Sequence, residues 1–348
     1  MKITANQITA LRIVLLPLPL FLIYGGPFSR LMAILILAVL GLTDYLDGVL
    51  ARKYGVTSLG RLLDPIADKI FIAVTLVPLA DLHILPMWIV WPIFFREFLV
   101  TEMRRFMTPG QKGLRVTELA KIKTTLQMTG VGLILLTNTF SDRLPTIFFL
   151  AGLFLATLFL AVAISSKSGE LTGRLKSALL LEGMGLAIAV ALPARQVELA
   201  YGVVLLVVTL VSGAQYVLAS MPGLLKRGLL PVLDLFLSIV NPLFALLLLP
   251  FTPGSSHLLV VLILAIEFAV QGIDMWAVQE GRFDISLYKK RFFTPFLVLV
   301  FVAMLSSGAG LGAASATFLV LCSFGSVLYL LVDMWFHRSL FKKKEFFS

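Results

Sequence analysis

The sequence predicts an all-α integral membrane protein with about twelve transmembrane helices. Of its 348 residues, 59% are hydrophobic and only 14% charged, and the mean hydropathy is +0.99, well outside the balance of water-soluble domains. The apolar residues are gathered into runs close to the ~20 residues a helix needs to cross a bilayer. A third observation, the placing of the basic residues, orients those runs.

The predicted spans cover roughly 12–27, 31–50, 62–81, 86–105, 119–138, 145–166, 174–193, 197–219, 229–250, 257–278, 293–309 and 313–335. The opening MKITANQITALRIVLLPLPLFLIYGG has the basic-then-apolar order of a signal peptide, but no small-x-small cleavage site is well placed and Pro17 and Pro19 interrupt the run. It reads instead as a retained interfacial segment leading into the first span. With the N-terminus inside and the spans alternating, only Arg30, Arg143 and Arg195 of the 29 Lys and Arg fall on the outer side. That bias puts both termini in the cytoplasm, with the chain in the cell (inner) membrane. It also accounts for the net charge of +10 through anionic headgroups, so no nucleic-acid partner is expected. The single cysteine, Cys322, lies within the last span, and one cysteine closes no disulfide within a chain.

Two polar breaks divide the chain, SSKSGELTGR at 165–174 and MPGLLKRG at 221–228. They give a six-helix region at 1–166, a helix pair at 167–225 and a four-helix membrane region at 226–348. KTTLQMTGVGLILL from Lys123 is similar to KSALLLEGMGLAIAV from Lys176, which reads either as a local duplication or as shared helical composition.

The chemistry is concentrated in TDYLDGVLARKYGVTSLGRLLDPIADK, residues 43–69. Asp44 and Asp47 are spaced i, i+3 at the end of the second span, and Asp64 and Asp68 i, i+4 at the start of the third. Each pair therefore shares a helix face. The short connection makes the two helices antiparallel neighbours, so all four carboxylates can converge at the membrane surface. Four such charges repel one another unless cations compensate. Mg²⁺ or Mn²⁺ suits them, because hard divalent ions take carboxylate oxygens and leave positions for phosphate and water. Gly48, Ala51 and Gly60 clear a slot beside the acids, and Arg52 sets a cation at its edge suited to phosphate. The bland alternative is an acid and base cluster that balances charge at a helix end; it explains one or two acids but not the whole spacing.

The stretch DYLDGVLARKYGVTSLGRLLDPIAD resembles the signature of the CDP-alcohol phosphatidyltransferases. These membrane enzymes move a phosphatidyl or related phospho-group from a CDP-linked donor to an alcohol and release CMP. NQITALRIVLLP, REF at 96–98 with Arg104 beyond it, and KIKTTLQM at 121–128 are similar to the phosphatidylglycerophosphate synthase branch. The resemblance covers roughly residues 1–166, which makes that region the six-helix catalytic core and leaves six further helices outside it. It implies that Asp44, Asp47, Asp64 and Asp68 hold two metal ions, that Asp44, Asp47, Gly48, Ala51, Arg52, Gly60 and Asp64 bind CDP, and that Asp68 is the general base. Asp68 is also the reasonable base on position, one turn deeper toward a lipid-linked phosphorus.

For the acceptor the resemblance implies that Arg96, Arg104, Lys121 and Lys123 supply the phosphate site, with glycerol 3-phosphate as the alcohol. Such cations suit a phosphorylated acceptor and repel choline or ethanolamine. Basic residues are also expected at cytoplasmic helix ends. Arg96 lies deeper in its span, where an unpaired charge costs ~2.5–3.5 kcal/mol, and Glu97 is a structural partner only if sequence neighbours can turn toward each other. Inositol phosphate and phosphatidylglycerol stand as alternative acceptors, as does a secondary transporter whose acids couple ions. The partners read from the chain are therefore CDP-diacylglycerol, a phosphorylated small-molecule alcohol, membrane lipids and, by resemblance, a second copy in a homodimer. In the second half Glu182, Asn241, Glu267, Asp274 and Asp333 are intramembrane polar candidates, with Asn241 and Glu267 read as a hydrogen-bonded packing pair. His83, His257 and His337 are scattered, without metal-ligand spacing.

Overall fold

The computed structural model describes residues 5–54, 58–105, 118–168, 173–226, 228–252, 256–279 and 293–338. The side chains of 5, 44–54, 58, 59, 61, 105, 118–122, 124, 125, 160, 163–168, 173–178, 219, 278 and 279 lie outside the described residues, as do the connections between these segments. Among the described residues the regular structure is helical: α1 (Ala5–Leu15), α2 (Pro17–Ile23), α3 (Pro27–Tyr54), α4 (Ser58–Asp81), α5 (Met87–Arg105), α6 (Glu118–Phe140), α7 (Leu144–Ser168), α8 (Gly173–Ala191), α9 (Ala194–Leu225), α10 (Leu229–Leu248), α11 (Ser256–Gln279), α12 (Thr294–Ser306) and α13 (Leu311–Phe336). A 3₁₀ turn, Leu249–Phe251, finishes α10. Five stretches are long and apolar enough to cross a membrane, namely Asn6–Ile23, Ala194–Leu225, Leu229–Phe251, Ser256–Ala277 and Leu311–Phe336. The chain is an integral membrane protein.

The first predicted span differs from the structure. Instead of one helix over 12–27, the segment begins at Ala5, breaks at Leu16 and ends at Ile23. Pro17 supplies no N–H to continue α1 but is well placed in the first turn of α2. Nor is α1 purely interfacial. It packs against α3 and α4, and its Thr9 and Arg12 are buried.

The turns α4–α5, α6–α7 and α8–α9 share one end of the bundle, and the three arginines that depart from the basic bias are found there. Arg30 donates to Ile23 O (3.0 Å) and to Asn138 Oδ1 (2.9 Å). Arg143 donates to Val190 O and Leu192 O at 3.0 and 2.8 Å. Arg195 donates to Ile84 O (2.7 Å) and His83 O (3.1 Å) and pairs with Glu198 at 2.8 Å. Asn138 Nδ2 closes the network on Glu198 Oε1 at 3.1 Å. Carbonyls at a helix C-terminus have no partner of their own; these guanidinium groups supply one in place of water.

The second half packs directly on the first. α9 lies against α5 and α6, α10 against α5, α11 against α4 and α5, and α13 against α11. One apolar cluster runs from Leu16 through Leu76, Phe94 and Phe268 to Cys322, while Phe148, Phe149, Leu155 and Phe159 of α7 project outward, as lipid-facing side chains do. The expected Asn241–Glu267 pair is not formed. Glu267 instead accepts from Ser326 Oγ of α13 at 2.8 Å, because its face of α11 meets α13. Glu182 accepts from Thr157 Oγ1 at 3.0 Å, joining α8 to α7.

Gly202 of α9 packs tightly against the residues around the start of α5: a Cβ there would lie 2.8 Å from Leu85 Cδ2 and 3.1 Å from Ile89 Cδ1. Gly202→Leu is expected to overpack this contact and cost about 1–3 kcal/mol, read as a lower thermal-unfolding midpoint in detergent.

Candidate active site

At the opposite end of the bundle the start of α4, the end of α5 and the start of α6 surround a cavity of about 320 Å³. Its walls include Asp64 and Asp68 from α4, Arg96 and Arg104 from α5, and Lys123 and Gln127 from α6. Residues far apart in sequence thus face one space because α4 and α6 start where α5 ends and α4 packs against both. The i, i+4 spacing keeps Asp64 and Asp68 on one face. Pro65, between them, has no N–H to return to the carbonyl one turn back.

The two carboxylates are held from behind by α1. Thr9 Oγ1 donates to Asp64 Oδ1 at 2.9 Å, and Arg12 Nη1 lies 3.5 Å from Asp68 Oδ1. Arg12 is only 1% exposed. Sequence reasoning read this segment as interfacial and quoted it as part of the resemblance, but gave Thr9 and Arg12 no role. The available signal was an arginine inside an apolar run, three residues after a threonine, on one helical face.

The cationic side of the cavity is organised by a buried carboxylate. Glu97 Oε1 accepts from Lys123 Nζ at 2.6 Å, from Arg96 Nη1 at 3.2 Å and from Gln127 Nε2 at 3.5 Å. Arg96, Glu97 and Lys123 are 6%, 4% and 7% exposed. Neighbours at 96 and 97 do turn toward each other, because the long guanidinium stem bends round the helix. Lys69 also lines the cavity and sits over the Phe268 ring at 5.4 Å; that ring stacks on Phe98 with centroids 4.0 Å apart. Sequence reading gave neither Lys69 nor Gln127 a role. Arg104 Nη2 donates to Tyr216 OH of α9 at 3.1 Å.

Asp44, Asp47, Gly48, Ala51 and Arg52 lie on the last turns of α3, and Lys121 on the first turn of α6; their side chains are outside the described residues. Gly60 is buried near the start of α4. Among the described residues, no three His, Cys, Asp or Glu side chains are grouped closely enough to hold a metal ion.

Residues 2–164 match the CDP-alcohol phosphatidyltransferase family. A Rickettsia bellii protein, CDP-diacylglycerol–glycerol-3-phosphate 3-phosphatidyltransferase, is 36% identical over 136 residues, spanning 38% of this chain and 74% of its own length. The Bacillus subtilis protein of the same name is 32% identical over 147 residues, 38% of this chain and 76% of that one. A Streptomyces coelicolor cardiolipin synthase (CMP-forming) is 45% identical over 103 residues, 28% of this chain and 48% of that one. No solved structure matches the chain. Similarity at this level across about three quarters of several curated relatives, in a helical membrane protein, makes the chain a member of the CDP-alcohol phosphatidyltransferase family and a membrane phosphotransferase.

Proposed function

We propose that the protein transfers the phosphatidyl group of CDP-diacylglycerol to glycerol 3-phosphate, releasing CMP, at the cytoplasmic face of the cell membrane. The observation that carries this reading is the shared cavity, in which Asp64 and Asp68 open onto the same space as Arg96, Arg104 and Lys123. The acidic wall suits a nucleotide pyrophosphate with its cations, and the basic wall suits a phosphorylated alcohol. A secondary transporter gives no reason for two carboxylates and three cations to line one cavity.

In the reaction a hydroxyl oxygen of glycerol 3-phosphate attacks the phosphatidyl phosphorus in line. The phosphorus–oxygen bond to CMP breaks, and CMP leaves with the bonding electron pair. Asp68 takes the hydroxyl proton. Arg12 beside Asp68 and Thr9 beside Asp64 fix the two carboxylates before substrate arrives. Arg96, Arg104, Lys121 and Lys123 bind the acceptor phosphate, and Gly48, Ala51, Arg52 and Gly60 leave room for the cytidine.

Asp64 and Asp68 are hard oxygen donors on one face, which fits Mg²⁺ or Mn²⁺. With Asp44 and Asp47 they would hold two ions, which when bound neutralise the pyrophosphate and the charge developing on CMP. The Streptomyces relative's name favours phosphatidylglycerol as a second reading for the acceptor. The buried cations favour the small phosphorylated alcohol. The homodimer the resemblance implies would use faces of the family region other than those of α4, α5 and α6 that α9, α10 and α11 cover. The six-helix catalytic core is taken as 1–166, with 167–225 and 226–348 as additional membrane regions.

Purified protein given Mg²⁺, CDP-diacylglycerol and a panel of glycerol 3-phosphate, inositol phosphate and phosphatidylglycerol is expected to release CMP with glycerol 3-phosphate. Release with phosphatidylglycerol alone would replace the acceptor assignment. Asp68→Asn should lower turnover by about 10²–10⁴, the usual contribution of a general base, and a chelator should stop it until Mg²⁺ or Mn²⁺ is restored. Orientation is checked separately: single cysteines near the termini should react with an impermeant thiol reagent only in inverted vesicles. Cys322 is buried and so gives no background in this measurement.

A further inference from the structure

The basic wall of the cavity is completed by a helix outside the family region. Residues 2–164 match the family, yet Arg96 and Arg104 both contact α9, Ala194–Leu225. Arg96 Nη2 donates to Ser212 Oγ at 2.9 Å. Ser212 donates its own proton to Thr209 O at 3.0 Å, so the oxygen turned to Arg96 can only accept. Tyr216 touches both arginines, with its ring 5.9 Å from the Arg96 guanidinium carbon and 5.0 Å from that of Arg104, and its hydroxyl accepts from Arg104 Nη2 at 3.1 Å. Ser212 is fully buried and Tyr216 is 4% exposed. Between them lies Gly213, where a Cβ would come 2.6 Å from Arg96 Cγ. Only a residue without a side chain lets the arginine stem pass.

We infer that Ser212, Gly213 and Tyr216 of α9 are positioning residues for the acceptor: they hold Arg96 and Arg104 so that both guanidinium groups address one phosphate. Glu97 and Ser212 grip opposite ends of the Arg96 guanidinium, which fixes its plane, and Tyr216 sets the separation between the two cations. Two guanidinium groups against one ring repel each other, and among the described residues no carboxylate is paired with Arg104. A dianionic group between them relieves that repulsion, so the site selects a phosphate monoester over a neutral or cationic alcohol.

The inference rests on the glycerol 3-phosphate reading, and the test separates the two. CMP release is measured for wild type, Ser212→Ala, Ser212→Thr, Tyr216→Phe and Tyr216→Leu while each substrate is varied in turn. Loss of one hydrogen bond to a charged group predicts about a tenfold rise in KM for glycerol 3-phosphate in Ser212→Ala, with KM for CDP-diacylglycerol unmoved. Ser212→Thr, which keeps the hydroxyl, should recover much of the loss, and Tyr216→Leu should be worse than Tyr216→Phe because it also loses the ring. Gly202→Leu, on the same helix at the other end of the bundle, should lower stability without shifting the acceptor KM. An unchanged acceptor KM in Ser212→Ala and Tyr216→Leu overturns the inference, as does a parallel rise for both substrates. Absence of CMP release by wild type with glycerol 3-phosphate removes the underlying reading instead. Protection of each variant against thermal unfolding by glycerol 3-phosphate gives the same ranking without turnover; equal protection of wild type and Ser212→Ala also overturns the inference.

Discussion

The candidate site depends on a carboxylate placed where a bilayer protein can least tolerate one. Glu97 is buried in the middle of α5 and stays there because Lys123 of α6 and its own neighbour Arg96 meet the same oxygen. Removing one member of such a group leaves an uncompensated charge and typically costs about 3–5 kcal/mol, so α5 and α6 are tied together at this depth. The cluster keeps one positive charge in excess, directed toward the cavity that Asp64 and Asp68 also line. One contact thus locks two helices, fixes the plane of Arg96 and leaves the pocket basic on one side and acidic on the other.

Charge is used differently at the two ends of the bundle. At the cavity end, cations face carboxylates and a space open to a substrate. At the far end Arg30, Arg143 and Arg195 face backbone carbonyls, and Asn138 and Glu198 bridge two of them. These three arginines answer a requirement of the backbone, since helix-end carbonyls held in or near lipid need donors.

The sequence disclosed what periodicity and spacing encode. Eleven of the twelve apolar runs correspond each to one helix, α3 to α13, because an apolar run in lipid satisfies its backbone groups within itself as a helix. The first run did not, because Pro17 interrupts the hydrogen-bond ladder at a place that hydropathy ignores. Asp64 and Asp68 could be paired from their spacing alone, and Arg96 could be singled out by its depth. Thr9 and Arg12 could not be placed, since their role depends on how α1 crosses α4. The same limit hid Ser212 and Tyr216, which lie far along the chain and acquire meaning only where α9 meets α5. The Asn241–Glu267 pairing failed for the same reason: both residues were correctly read as polar groups within apolar helices, but the faces that meet are those of α11 and α13.

The helices beyond the family region form part of the wall behind the site, and two glycines show how closely they fit. Gly213 of α9 sits against Arg96, and Gly272 of α11 sits against Ile66, where a Cβ would lie 2.7 Å from Ile66 Cδ1. Ile66 stands between Asp64 and Asp68 on α4. On α11 the seat continues through Phe268, which carries Lys69 over its face and stacks on Phe98. The acidic helix and the basic helix are thus each backed by a C-terminal helix that comes close where a side chain is missing. Close packing transmits displacement, because interiors at native density have little slack. The side chains that form both walls of the cavity are therefore seated against a half of the chain that lies outside the family match.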